Sequence, residues 1–468
     1  MYILRTSKNS ALALLLLVIY TVFLSILLPQ LYEDNMEYWA IEITVLAIAQ
    51  ILITLVCFRY SNIGLISTFS FIALFSYIFQ FGNLFCYAIG YKRNITMARI
   101  AYNTSQYAFK KGMSLALICL GVFTLGGILN SFIQKKENLT EITNTAEIPM
   151  DFYKIIGITI IAISIPFYLI TQYNTIKVTI AFGSYTALAE NRLPGYITSL
   201  GKFIYIGIFC IIFYCKHIDN KKHMKAWITV FLLLIIFNFM LGARSEPMTI
   251  LFAFVIFYFI CINSKFSKKN VLIILIVVFL LADLMYSIQI SRNSGFSIKN
   301  ILQHFFTNGF DAILEELMEF GVTGYSTSAV VEKISTHNPS WFLIKELSSL
   351  FPIPIESKYT VVGSVAAGKP ELGTSFIGEM YYYFGNYCYL ACFFIAIYIT
   401  SITKWIRRKI DKGEYYYFLM MLMWIWQQLN CIRATFNLAI KTIIYSYVLF
   451  FVVKSIYITM RNKSGVYS

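Results

Sequence analysis

Several charged residues stand where the surrounding sequence is apolar. Asp283, Glu379, Arg433 and Lys441 lie inside or at the rim of long hydrophobic stretches. Arg244 and Glu246 occupy a tight turn, Gly242-Ala243-Arg244-Ser245-Glu246-Pro247, between two more. An ionisable group at membrane depth costs several kcal/mol unless it is paired or wet, so each of these positions marks a candidate site. Arg433, Asn437 and Lys441 are spaced four residues apart, which places them on one face if a single helix carries them. Ser375, Glu379 and Tyr383 repeat that spacing. The cations Arg244, Arg433 and Lys441 suit a phosphate or pyrophosphate, arginine through its planar fork and lysine as a point charge. Glu379 is a candidate base, or a carboxylate that orients an arginine. Asp283 and Lys441 are expected at similar depth, either as a structural ion pair or as lining of a polar cavity. Arg292, His304 and His337 complete the candidate set, with either histidine a possible general base or a plain loop residue.

Other chemistries are absent from the pattern. Nothing reads as a Walker phosphate loop, a dinucleotide-binding glycine pattern or a Gly-x-Ser-x-Gly elbow. Gly363-x4-Gly368-Lys369 lacks the following Ser or Thr, because Pro370 stands there. The cysteines and histidines show no metal-ligand spacing, and all nine cysteines fall in or beside apolar runs as packing residues. No cofactor and no metal are expected. The net charge of +15 fits basic loops facing a membrane surface better than a nucleic-acid partner.

The elements that must position these groups are membrane helices. The chain has 468 residues, 58% of them apolar and only 13% charged, against about 25% charged in a soluble domain. That excludes a soluble enzyme, a disordered chain and a secreted disulfide scaffold. A bilayer core of about 30 Å needs about 20 helical residues. Twelve stretches qualify, at 11–29, 39–58, 62–89, 112–133, 155–172, 198–215, 226–241, 247–263, 270–290, 373–402, 415–432 and 435–458. The expected fold is an all-α, polytopic integral membrane protein forming one transmembrane domain over 1–468. Compact basic loops at 216–225, 265–269 and 404–412 put both termini in the cytoplasm. The loop 91–111 conflicts with that rule. It carries Lys92, Arg93, Arg99, Lys110 and Lys111 but falls outside if the third span is single. Residues 291–372 form a large extracytoplasmic loop between spans nine and ten. It contains an amphipathic run from Ile301 to Phe320, with Asp311, Glu315, Glu316 and Glu319 on its polar side, and a second helical run near 326–336. A long loop with its own helices is more often functional than a linker.

The chain resembles the Wzy-type O-antigen and capsule polymerases. The residues that carry the resemblance are the Gly242-Ala243-Arg244-Ser245 turn, Gly183-Ser184-Tyr185, and above all the run Leu372-Gly373-Thr374-Ser375-Phe376-Ile377-Gly378-Glu379-Met380-Tyr381-Tyr382-Tyr383-Phe384-Gly385. The arginine–ten residues–glycine pattern of some members is absent, so a catalytic arginine carries over only at Arg244. The resemblance implies glycosyl transfer at the outer face of the bacterial inner membrane. The growing glycan, carried on undecaprenyl pyrophosphate, would move onto a newly flipped lipid-linked repeat unit, without nucleotide sugar or metal. Membrane lipid, a chain-length regulator and a flippase are the implied partners. A ligase that uses the same donor with another acceptor is the nearest alternative. A lipid-linked oligosaccharide flippase is the next, disfavoured by the long loop and by the charges clustered in the outer third of the spans.

Overall fold

A computed structural model describes residues 2–4, 8–65, 67–94, 104–135, 149–182, 191, 193–241, 245–262, 280–281, 283–288, 290, 298–304, 309–333, 375–433 and 437–463. Among the described residues there are fifteen α-helices. They are α1 Lys8–Gln30, α2 Met36–Tyr60, α3 Thr68–Ala88, α4 Gln106–Phe132, α5 Met150–Phe182, α6 Gly195–His217, α7 Lys221–Met240 and α8 Ser245–Phe257, which is prolonged by a π-helical turn, Tyr258–Ile262. Then come α9 Ile298–His304, α10 Phe310–Phe320, α11 Val322–Lys333, α12 Phe376–Phe384, α13 Cys388–Asp411, α14 Tyr415–Asn430 and α15 Asn437–Lys463. Two short strands, β1 Tyr2–Leu4 and β2 Ile133–Lys135, pair antiparallel with Tyr2 opposite Lys135.

The helices are apolar on both faces, as a lipid-facing bundle requires. In α1, Ala13, Leu17, Leu24 and Leu28 are buried while Leu12, Leu15, Ile19 and Ile26 are exposed. Among the described residues eight helices are long and apolar enough to cross a membrane: Lys8–Glu33, Met36–Tyr60, Thr68–Ala88, Gln106–Phe132, Met150–Ala181, Gly195–His217, Lys221–Met240 and Phe376–Asp411. Glu246–Ile262 and Ile444–Thr459 are apolar but shorter, and α14 has 16 residues. Much of the expected ninth span, 270–290, lies outside the described residues. The multi-pass bundle thus stands, and eight of the twelve expected spans have the length and composition of a membrane helix among the described residues.

The bundle has two chemically distinct ends. At the end that carries β1, Ser10 Oγ donates to Tyr60 O (2.5 Å) and Asn62 Nδ2 to Ser131 O (3.2 Å). There too Lys404 Nζ donates to Asn130 O (2.7 Å) and Arg407 to Asn62 O (3.2 Å). Tyr457 near the end of α15 packs edge-on against Phe152, at the start of α5 (4.7 Å). The start of α1 and the last turns of α15 therefore lie on this side. At the opposite end Lys110 Nζ caps the α1–α2 turn by donating to Tyr32 O (2.9 Å) and Asp34 O, and Lys202 pairs with Glu246 (3.0 Å). All nine cysteines are free and buried, in line with their expected packing role.

Candidate functional site

The segment expected as an outer loop does not stay outside the bundle. Helix α10 runs down α3, with Leu314 O accepting from Cys86 Sγ (3.4 Å) and the Phe320 ring stacked on Phe79 (4.6 Å). Phe79 is nine residues before the end of α3, about 14 Å along the helix. The chain turns at Gly321, and α11 climbs back beside α4. Ser328 abuts Gly112, and Glu332 accepts from the Ser105 backbone N–H (2.8 Å), which opens α4. Helices α10 and α11 thus form a re-entrant hairpin seated between α3 and α4. Close approach demands small residues: a Cβ on Gly82 would overlap Leu317 O, one on Gly321 the Asn83 backbone, and one on Gly324 the Gln80 carbonyl.

The face of α11 inside the bundle is a row of hydroxyls, Thr323, Ser326, Thr327 and Ser328, all buried. Thr327 Oγ1 donates to Gln80 Oε1 (3.2 Å) and shares a 2.9 Å hydrogen bond with Ser375 Oγ. Ser375 caps α12 by accepting from the Gly378 N–H (3.1 Å). One turn on, Glu379 is completely buried. Helix α12 then stops at Gly385, whose φ of 54° favours glycine, and α13 starts at Cys388. Cys388 Sγ lies 3.7 Å from Cys119 Sγ, the midpoint of α4. The motif from Ser375 to Gly385 thus forms a short helix broken from α13, and its capped start faces the hairpin. Around the turn, Gln80 Nε2, Asn83 Oδ1 and Thr323 Oγ1 are buried without a hydrogen-bond partner among the described residues. Gln427 and Gln428 of α14 are buried as well. Irregular backbone and unsatisfied amides at membrane depth belong where a cavity or water meets them.

Two cations meet the acidic face of α10. Arg433 Nη2 lies 3.5 Å from Glu319 Oε1, with side chains 29% and 20% exposed. One turn earlier Glu315 accepts from Lys92 Nζ and from Tyr91 Oη (3.0 Å). Both donors lie just beyond α3. The hydrogen bond to Glu315 raises the Lys92 pKa, against burial that lowers it. Burial first, and the Glu315 hydrogen bond second, push Tyr91 up to about 12. These contacts account for part of the basic loop 91–111. Lys92 faces a carboxylate of the hairpin, and Lys110 caps a turn.

The sequence candidates divide accordingly. Glu379 and Tyr383 share α12, where Tyr383 is buried with its ring 5.1 Å from that of Tyr382. Asp283 is completely buried in a helical stretch, 283–288, where its carbonyl accepts from Ser287 Oγ (2.7 Å). His304 ends α9, half-buried. Arg433 is not on one helix with Asn437 and Lys441. Helix α14 ends at Asn430, Arg433 sits in the following turn, and α15 begins at Asn437. The four-residue spacing there does not define a face, because the helix is interrupted. Lys441 lies in α15 with its side chain outside the description, and Arg244, Arg292 and His337 lie outside the described residues. The sequence reading missed Glu315, Glu319 and Lys92 as partners. The available signal was two glutamates one turn apart on an amphipathic run ending in Gly321 and Gly324. A cavity of about 110 Å³ lined by Lys216, Asp219, Lys221 and Lys225 lies at the opposite end of the bundle.

The profile of the family described as O-antigen polysaccharide polymerase Wzy matches residues 10–464. No curated protein and no solved structure matches the chain. The chain belongs to the O-antigen polysaccharide polymerase Wzy family.

Proposed function

We propose that the protein polymerises lipid-linked oligosaccharide repeat units at the outer face of the bacterial inner membrane. The hairpin end of the bundle faces outward, and both chain ends face the cytoplasm. The donor is a growing glycan on undecaprenyl diphosphate, and the acceptor is the non-reducing end of a new lipid-linked unit. A hydroxyl oxygen of the acceptor bonds to the anomeric carbon of the donor. The bond from that carbon to the diphosphate oxygen breaks, and undecaprenyl diphosphate leaves with the electron pair. The hydroxyl proton passes to a base, a role assigned to Glu379. Arg433, with Arg244, holds the diphosphate and stabilises the charge it gains on leaving. No nucleotide takes part.

The observation that carries this reading is the Arg433–Glu319 ion pair beside a re-entrant hairpin and a broken helix. The buried amides and hydroxyls around Gly321 are the groups that sugar hydroxyls would hydrogen-bond. The lipid tail stays in the bilayer, entering between helices. Arg433→Lys keeps the charge and loses the fork. Losing such a contact costs roughly 2–4 kcal/mol in the transition state, about 30- to 1000-fold in rate. The assay is polymer length on a gel, from purified protein and lipid-linked repeat units with no added nucleotide. Arg433→Ala is expected to stop elongation and Arg433→Lys to shorten the ladder severely. A full ladder from Arg433→Ala, or a strict need for nucleotide sugar, would overturn the assignment.

A further inference from the structure

Glu315 and Glu319 lie four residues apart on α10, so they project from the same face with Cβ atoms about 6 Å apart. Each holds a cation from a different part of the chain. Lys92 follows α3, and Arg433 follows α14. Two cations from remote segments are therefore held against one face of α10. Both pairs are open on one side, since Lys92 keeps 41% of its side chain exposed and Arg433 29%. The cations are partly open to solvent while the glutamates that hold them are largely buried, and the glycine contacts seat the hairpin independently of either pair. A cation kept beside a carboxylate tolerates its apolar surroundings while no other anion is present, and a lysine ammonium or guanidinium carries more than one donor.

We infer that Lys92 and Arg433, presented together by Glu315 and Glu319, form a two-cation seat for the diphosphate of a polyprenyl diphosphate, with Lys92 a binding residue and the two glutamates positioning residues. The inference rests on the proposed polymerase reading for its ligand class and goes beyond it in naming Lys92 and the α10 carboxylates. A diphosphate carries more negative charge and more acceptor oxygens than a monophosphate, so two cations on one helix face favour it. The seat therefore distinguishes diphosphate from monophosphate, and after glycosyl transfer it holds the leaving group instead of the spent monophosphate carrier.

The test is native mass spectrometry of the full-length protein in nanodiscs, titrated separately with undecaprenyl diphosphate and undecaprenyl monophosphate. Wild type is expected to prefer the diphosphate by about tenfold or more, the scale of one charge-assisted hydrogen bond. Lys92→Gln is expected to remove most of that preference by weakening the diphosphate and leaving the monophosphate within about twofold. Lys92→Arg should keep the preference. Glu315→Gln leaves the lysine charge in place but releases it, so the preference should fall by a smaller factor than in Lys92→Gln. A purely structural role would change melting temperature and not the ratio of the two lipids. If Lys92→Gln folds poorly, the double variant Lys92→Gln with Glu315→Gln removes both charges and serves in its place. Wild-type selectivity in either variant overturns the inference. A wild-type protein that binds neither lipid overturns the polymerase reading as well, which separates the two failures.

Discussion

Replacing Gly112 with alanine adds one methyl group between α4 and the hairpin. A Cβ there would lie 2.7 Å from Ser328 Cα and 2.5 Å from Ser328 Oγ. The hydroxyl rotates away, but the Cα belongs to the backbone of α11 and moves only with the helix. Ordinary contact begins at 3.4 Å, so the two helices must separate by about 0.7 Å, the difference between 3.4 and 2.7 Å. Thr327, the preceding residue, bridges Gln80 at 3.2 Å and Ser375 at 2.9 Å. A shift of that size along either bond takes it to about 3.9 or 3.6 Å, past hydrogen-bond length. Overpacking of this kind costs about 1–3 kcal/mol. A misplacement of about 1 Å in a reacting site costs on the order of 100-fold in rate, so a loss of about 10- to 100-fold is expected here. The melting temperature of the detergent-solubilised protein and the polymer ladder from purified lipid-linked units read the two effects. Gly195→Ala is the control, because nothing lies within 4 Å of a Cβ there. A wild-type ladder and melting temperature from Gly112→Ala would refute the seating of the hairpin against α4.

Two further outcomes test other parts of the reasoning. In a cysteine-free background, a cysteine at Ser335 is expected to react with an impermeant thiol reagent in intact spheroplasts, and labelling only after lysis would reverse the proposed orientation. If Asp283 and Lys441 meet, Asp283→Asn should damage activity and Lys441→Met should partly restore it, because stranding one buried charge costs more than removing both; additive losses in polymer yield would separate the two residues.

Much of the fold was legible because membrane helices announce themselves by length and apolarity. The eight long helices overlap expected spans, and the third span, which contains Gly82, is a single helix from Thr68 to Ala88. Composition does not say how a loop packs. The run Ile301–Phe320 reads as amphipathic from its spacing, but only the fold shows that it divides into α9 and α10 and that the acidic face of α10 meets cations from the turns after α3 and α14. The same limit explains Arg433. Four-residue spacing implies a shared face only on an unbroken helix, and the turn after Asn430 is invisible to periodicity. Glu379 was legible from its apolar setting, and its complete burial follows from the cap at Ser375 that opens a short helix inside the bundle. Glycine at position 82 reads from sequence as a flaw in a span. In the structure it is the place where the Leu317 carbonyl reaches α3.

The basic loop 91–111 shows how a topological anomaly becomes a structural clue. Cations beside membrane helices are expected on the cytoplasmic side, and the helix order places this loop at the end opposite β1. An excess of positive charge there needs a local reason. Lys110 has one, because it fills the carbonyls left open between α1 and α2. Lys92 has another, because it meets Glu315. The carboxylate is supplied by a helix more than two hundred residues later, so the partner could not be found from local sequence. What the local sequence does carry is the mismatch: a basic loop at odds with the expected charge count, and four carboxylates on the polar side of an amphipathic run. When two separate violations of membrane patterning have opposite sign, the economical reading is that they meet. Here they meet on the hairpin that also holds Arg433. That convergence sets this end of the bundle, where buried carboxylates hold cations, apart from the basic loops at the other end.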